Sequence, residues 1–114
     1  MSDPGGRSSL NLPENLVALF AYLFGWISGL IIFLIERESP FVRFHALQSL
    51  IFFGVLTLVI SIFSRIPFVG WLIFVVGLIT TFVFWVMGMV KAYAGELYRF
   101  PVAGDIAASQ IRPE

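Results

Sequence analysis

The side chains with the potential for chemistry are concentrated in two short stretches of the chain. The first, residues 36–50, contains the only histidine and lies between two long apolar runs. The second, residues 91–101, follows the last apolar run. We group their polar members as the polar interface cluster, which consists of Glu36, Arg37, Glu38, Arg43, His45, Gln48, Lys91, Tyr93, Glu96 and Tyr98.

His45 is the member of this cluster with the widest range of chemical roles. On a helix it shares one sector with Gln48 and Ser49, which follow at the third and fourth positions. An imidazole can relay protons or bind a ligand near neutral pH, but we favour a structural hydrogen bond to Gln48 or to a carbonyl of the C-terminal tail. Ser49 has no base and oxyanion site of the kind that activates a nucleophile. We therefore expect no enzyme activity.

Arg43 is expected to form an ion pair with Glu96 or Glu36. Two antiparallel helices separate the two polar stretches, so the second stretch would lie on the same side of the membrane as the first. The alternative is that Arg43 extends its side chain to the phosphates of lipid headgroups. In that case Arg37 and Lys91 would help it to hold an anionic headgroup, and the lipid bilayer is a predicted partner.

The composition excludes several classes of protein. Hydrophobic residues make up 59% and charged residues 12% of the 114 positions, whereas roughly a quarter of a soluble domain is charged. Seven basic and seven acidic side chains cancel, which argues against binding to nucleic acid. With no cysteine and one histidine, the chain is not expected to hold a metal ion or a cofactor.

The apolar runs predict an all-α integral membrane protein with three transmembrane helices, at about 12–35, 40–64 and 68–94. About 20 uncharged residues at 1.5 Å each are enough to cross the hydrocarbon core. Ser39 and Pro40 are typical of the N-cap and first position of a helix. The chain then divides into a disordered tail (1–10), a transmembrane domain (11–95) and an interfacial C-terminal tail (96–114).

Small residues in these helices predict where the helices pack. Apolar burial gives helices no preference for one another in lipid, so close backbone approach at small residues matters more. The packing positions that we predict are Ala21, Gly25, Gly29, Gly77 and Gly88.

The distribution of Lys and Arg predicts the orientation of the three-span arrangement. Arg7 and Arg65 would lie on one side, and the other basic residues on the opposite side. Because basic residues favour the cytoplasmic side of a membrane, we expect a protein of the cell (inner) membrane with its N-terminus outside and its C-terminus in the cytoplasm.

Two sequence blocks resemble a known family. Residues 38–49 (Glu-Ser-Pro-Phe-Val-Arg-Phe-His-Ala-Leu-Gln-Ser) and 91–101 (Lys-Ala-Tyr-Ala-Gly-Glu-Leu-Tyr-Arg-Phe-Pro) are similar to the signature blocks of the Tic-twenty-like family. This family groups small prokaryotic membrane proteins with a chloroplast inner-envelope import component. The resemblance implies a helical multi-span protein and, for the plant members, a part in protein translocation as a channel or scaffold subunit.

These observations leave three functions open. The first is a non-enzymatic membrane protein that acts through helix packing and a polar cytoplasmic face, as a homo-oligomer or as a small accessory subunit of a larger membrane complex. The second is a component of a channel or protein translocation complex. The third is lipid or small-molecule transport.

Overall fold

The computed structural model describes residues 7–111, and the regular elements among them are helices. Two of these helices, of 24 residues each, are long and apolar enough to cross a membrane. The prediction of an all-α protein is thus confirmed, and the two spans predicted at about 40–64 and 68–94 coincide within two residues with helices that could cross a membrane. Residues 1–6 of the predicted disordered tail lie outside the described residues. The helices are α1 (Glu14–Leu23), α2 (Trp26–Ile35), α3 (Pro40–Phe63), α4 (Gly70–Tyr93) and α5 (Ala103–Gln110).

The start of α3 follows the predicted capping pattern. Ser39 Oγ accepts a hydrogen bond from the backbone N–H of Val42 at 3.2 Å. Pro40 occupies the first position, where a helix has no internal partner for an N–H. Local sequence therefore determines where this span begins.

The prediction of one continuous helix over residues 12–35 is wrong. The structure has two helices of ten residues each, α1 and α2, separated by Phe24 and Gly25. Gly25 has φ 63° and ψ −133°, a backbone conformation that is almost restricted to glycine. The residue predicted as a packing position therefore reverses the chain.

Both outer ends of this helix pair lie at the same end of the molecule. The Glu14 carboxylate accepts a hydrogen bond from Ser39 Oγ, and the Glu36 carboxylate accepts one from Ser39 N at 3.0 Å. A straight helix over the same residues would separate its ends by about 33 Å. Helices α1 and α2 therefore form a helical hairpin, residues 14–35, which we call the re-entrant hairpin. Each arm is about 15 Å long, which is about half the thickness of a 30 Å hydrocarbon core.

Close contacts at glycines position the helices. A methyl group at Gly88 of α4 would lie 2.7 Å from the Tyr22 ring of α1, and one at Gly29 of α2 would lie 2.8 Å from the Ala46 carbonyl oxygen of α3. At the other end of the molecule, a methyl group at Gly77 would lie 2.5 Å from Ile60. Ala21 is fully buried within α1. Helix α1 thus packs against both spans, and α2 packs on α3.

The chain leaves α4 through a glycine cap. Gly95 has φ 82°, its N–H bonds to the Ala92 carbonyl at 3.1 Å, and the Glu96 N–H bonds to the Lys91 carbonyl at 2.9 Å. This is the Schellman arrangement that ends many helices. Residues 96–100 then run without regular structure along α3, and α5 packs on the same helix.

Candidate functional site

Charged side chains are concentrated at the end of the fold where α3 begins and α4 ends, which we call the polar end. The opposite end, formed by the connection of residues 64–69, we call the loop end. Among residues 7–111, Arg65 is the charged residue of the loop end. The polar end carries Arg7, Glu14, Glu36, Arg37, Glu38, Arg43, Lys91, Glu96, Arg99 and Asp105.

A buried hydrogen-bond network at the polar end is centred on His45. Its Nδ1 lies 2.7 Å from the Tyr22 hydroxyl, and its Nε2 lies 2.8 Å from the Glu96 carbonyl oxygen. A carbonyl can only accept, so Nε2 carries a proton and Nδ1 of the neutral ring accepts from Tyr22. His45 therefore makes the hydrogen bond to a tail carbonyl that we favoured, and it joins α1, α3 and the C-terminal tail.

Gln48 uses its side-chain amide in the same network. It donates to the Tyr22 hydroxyl at 2.8 Å and to the Tyr98 carbonyl at 3.0 Å. Its Oε1 accepts from the Phe100 N–H at 2.8 Å. The amide thus binds the tail through one acceptor and one donor, as a neighbouring β-strand would bind it. Gln48 is therefore the main polar attachment of the tail to α3.

Phe100 is a site residue that the sequence reasoning missed. Its ring is 2% exposed and lies between the three helices that meet at the polar end, with ring centroids 5.7 Å from Tyr22, 5.0 Å from Phe52 and 5.1 Å from Phe84. The available signal was an aromatic residue directly before Pro101. Its burial fixes the depth to which the tail enters.

Buried carboxylates close the open end of the re-entrant hairpin. The Glu36 carboxylate accepts from the backbone N–H groups of Ser9 at 3.0 Å, Glu38 at 3.2 Å and Ser39 at 3.0 Å. Burial alone would raise the pKa of Glu36, but these donors together with the Ser9 side chain hold that pKa below its ordinary value. Glu36 is therefore an ionised anchor for the segment that precedes α1.

Arg43 does not form the expected ion pair with a carboxylate. Its Nη1 donates to the backbone carbonyls of Phe33 at 3.1 Å and Glu36 at 2.6 Å, and its guanidinium lies 4.2 Å from the centroid of the Phe33 ring. Glu96 instead pairs with Lys91 at 3.2 Å, on the surface. Arg43 thus caps the C-terminal end of α2, where a positive charge is favourable.

The remaining members of the polar interface cluster lie outside the buried network. Arg37 and Glu38 are exposed in the connection between α2 and α3. Tyr93 takes part through its backbone carbonyl, which accepts from Asn15 at 3.0 Å. The Tyr98 ring is partly exposed below the Lys91 ammonium, 5.4 Å from its centroid. The structure thus brings His45, Gln48 and the tail backbone together and leaves these four side chains at the surface.

The turn of the re-entrant hairpin is a second polar site that the sequence reasoning missed. Breaking a helix frees backbone carbonyls, which are costly to leave unpaired in lipid. Side chains from three helices donate to them. The bonds run from Ser28 Oγ to Ala21 O (3.0 Å), from Trp85 Nε1 to Leu23 O (3.1 Å) and from Ser49 Oγ to Gly25 O (2.9 Å).

These bonds define what the site can do chemically. In the part of the chain that the structure describes, no buried side-chain nitrogen or oxygen lacks a hydrogen-bond partner. The buried polar side chains are therefore hydrogen-bonded to other groups of the same chain. The arrangement attaches the hairpin and the tail to the two long helices.

Comparison with known proteins identifies a different family from the one that the sequence blocks resembled. Residues 8–107 match the magnetosome magnetite crystal formation protein family. The chain is 48% identical over 104 residues to a UPF0132 membrane protein of Methanocaldococcus jannaschii, covering 91% of this chain and 74% of the relative. It is 42% identical over 101 residues to one of Archaeoglobus fulgidus, covering 88% and 97%. No solved structure matches. The assignment to the Tic-twenty-like family is therefore wrong.

Proposed function

We propose, from the premise that this chain belongs to the magnetosome magnetite crystal formation protein family, that it is a non-enzymatic protein that acts through helix packing within a membrane. The archaeal relatives are membrane proteins, and α3 and α4 have the length and hydropathy of membrane spans. On this proposal the protein works as a homo-oligomer or as a small accessory subunit of a larger membrane complex.

The observation that carries this proposal is the contrast between the polar end and α4. The polar groups are bonded within the chain, whereas α4 leaves a continuous apolar face uncovered that includes Ile79 and Phe82, 59% and 62% exposed. Such a face can contact lipid or another helix without the loss of a polar partner. The geometry therefore supports a packing role better than a chemical one.

The other candidate functions have less support. A conducting path through a broken helix uses its free carbonyls to coordinate ions, but the three carbonyls at the hairpin turn accept from Ser28, Trp85 and Ser49. The family description refers to magnetite formation, yet residues 7–111 contain no group of three or more His, Cys, Asp or Glu side chains that could hold a metal ion. We therefore propose neither transport nor direct metal coordination.

The re-entrant hairpin changes the orientation that we propose. Among residues 7–111, it places Arg7 at the same end as Arg37, Arg43, Lys91 and Arg99, which leaves Arg65 as the basic residue of the loop end. Five basic residues against one favour a cytoplasmic polar end. We thus propose that both termini are cytoplasmic in the cell membrane. Exposed Arg37 remains available to anionic lipid headgroups, whereas Arg43 is engaged with α2.

The orientation is tested with single-cysteine variants, because the native chain has no cysteine. Arg7→Cys and Glu38→Cys should react with a membrane-impermeant maleimide from the cytoplasmic side, and Phe68→Cys from the other side. Phe68 is 93% exposed in the loop, so its labelling does not depend on unfolding. Labelling of Arg7→Cys from the same side as Phe68→Cys would contradict the hairpin and restore three spans.

The packing role is tested by disulfide crosslinking in native membranes. Val75→Cys, Ile79→Cys, Phe82→Cys and Val86→Cys lie on one helical face of α4, and Ile31→Cys on the exposed face of α2 is the matched control. Crosslinks at the α4 positions, to a second copy or to another protein, together with a silent control, support the proposal. An α4 face that crosslinks no more than Ile31→Cys would overturn it.

A further inference from the structure

The two halves of the molecule have different cross-sections. In the polar half, the two spans are joined by α1, α2, the tail segment and α5. In the loop half, α3 and α4 contact each other, as at Ile60 and Gly77. Each helix is about 10 Å in diameter, so the protein is wider at the polar end than at the loop end.

The position of this change in width follows from the deepest contacts of the re-entrant hairpin. On α3 these contacts reach Gly54, where a methyl group would lie 3.8 Å from Trp26 Cβ. On α4 they reach Trp85, which donates to the Leu23 carbonyl at 3.1 Å. The nine residues of α3 beyond Gly54 extend about 14 Å further. The change in width therefore falls near the middle of the bilayer.

The surface of the loop half is predominantly apolar on all sides, as expected of segments surrounded by acyl chains. Apart from the uncharged Thr57 and Ser61, its exposed helix side chains are aliphatic or aromatic, and the loop that closes it carries a single charge, Arg65. The exposed members include Val55, Leu58, Ile62, Trp71, Phe74 and Ile79. This narrow half therefore stays in the membrane and lies within one leaflet.

A protein of this shape displaces different amounts of lipid from the two leaflets. The re-entrant hairpin and α5 displace lipid from the leaflet at the polar end and leave the other leaflet almost unchanged. Elements inserted into one leaflet alone expand it, and their binding depends on membrane curvature. We propose that the protein is a one-sided membrane wedge that prefers, and at high density generates, membrane that is convex toward its polar end.

This function goes beyond the packing role, because a single copy has the asymmetric shape. It also does not depend on which side of the cell membrane the polar end faces. An oligomer would add its wedges together, whereas an accessory subunit would bring curvature to its complex. The relevant partner is a lipid bilayer whose curvature has a defined sign.

The test uses membrane tubes pulled from giant vesicles of phosphatidylcholine and phosphatidylglycerol that contain the full-length protein in both orientations. One preparation carries Glu38→Cys and the other Phe68→Cys, and each is labelled after reconstitution with an impermeant fluorescent maleimide. Since the dye reaches outward-facing cysteines alone, the first label reports copies with the polar end outside. The second reports copies with the loop end outside. Both sites are exposed, which makes the variants a matched pair.

The wedge predicts sorting of opposite sign in the two preparations. Copies with the polar end outside should be enriched severalfold in the tube relative to the vesicle, because the outer leaflet of a tube is convex. Copies with the loop end outside should be depleted. Equal density in tube and vesicle for both labels would overturn the proposal. Enrichment of both labels would also overturn it, because that result requires a mechanism without leaflet asymmetry.

Discussion

Replacing Gln48 with leucine removes three hydrogen bonds from the polar end at little change in side-chain size. The lost bonds connect α3 to Tyr22, to the Tyr98 carbonyl and to the Phe100 N–H. Tyr22 keeps its bond to His45, so two of the losses fall on the backbone of the tail. We expect the tail to detach from α3 more often while the two spans remain folded.

The magnitude follows from the number of bonds. Side-chain hydrogen bonds between membrane helices are worth about 0.6 kcal/mol on average, so the two that hold the tail give about 1 kcal/mol. The Phe100 N–H is buried and loses its acceptor, Gln48 Oε1, which adds about 1 kcal/mol. A total of about 2 kcal/mol raises the population of the open tail roughly 30-fold, because each 1.4 kcal/mol is a factor of ten.

Trypsin cleavage after Arg99 measures the open population, since Arg99 is exposed in the segment that must detach. The cleavage rate tracks this population when opening is fast relative to cleavage. Thr57→Leu is the matched control, a polar-to-leucine change on the exposed side of the same helix. Cleavage after Arg65 in the distant loop should stay unchanged in both variants. If Gln48→Leu is cut after Arg99 no faster than Thr57→Leu, then Gln48 does not hold the tail.

Three further predictions concern the contact between α4 and α1, the backbone turn and the buried carboxylate. Gly88→Ala places a methyl group 2.7 Å from the Tyr22 ring and should lower the free energy of unfolding in detergent by about 1–3 kcal/mol. Gly54→Ala, with 3.8 Å of room, is its control and should cost nothing. Gly25→Ala should cost about 1–3 kcal/mol because of its positive φ, and an unchanged unfolding curve would contradict the strained turn. Glu36 has a folded-state pKa below its ordinary value of 4.5. The ionised carboxylate therefore contributes its full stabilisation of the fold above pH 4.5, and this contribution is lost as the pH falls through the folded-state pKa. In Glu36→Gln this part of the pH dependence of the melting temperature should disappear, and an unchanged acid slope would contradict the assignment.

The sequence was most informative where short-range signals act alone. Ser39 and Pro40 determine the start of α3 through contacts within four residues, and the uncharged runs on either side of Arg65 predict both spans. The proximity of His45 to the tail also followed from the antiparallel order of α3 and α4. A tail carbonyl was among the predicted partners of His45, but its position in the tail and the partners of Gln48 did not follow, because both side chains bind tail backbone rather than tail side chains. Backbone groups are identical at every position and leave no sequence signal.

The division of residues 12–35 into a hairpin depends on bonds that no local pattern contains. An uncharged run of this length normally forms one span, because a break would leave carbonyls unpaired in hydrocarbon. Here Ser49 and Trp85 supply donors from helices that lie 24 and 62 residues away in sequence, so the break is stable only in the complete fold. Glu14 and Glu36 also indicate the hairpin, since each bonds to Ser39 and the two residues flank the apolar run. A buried carboxylate at each end of an apolar segment, with one serine as the common partner, is compatible with a hairpin and not with a span.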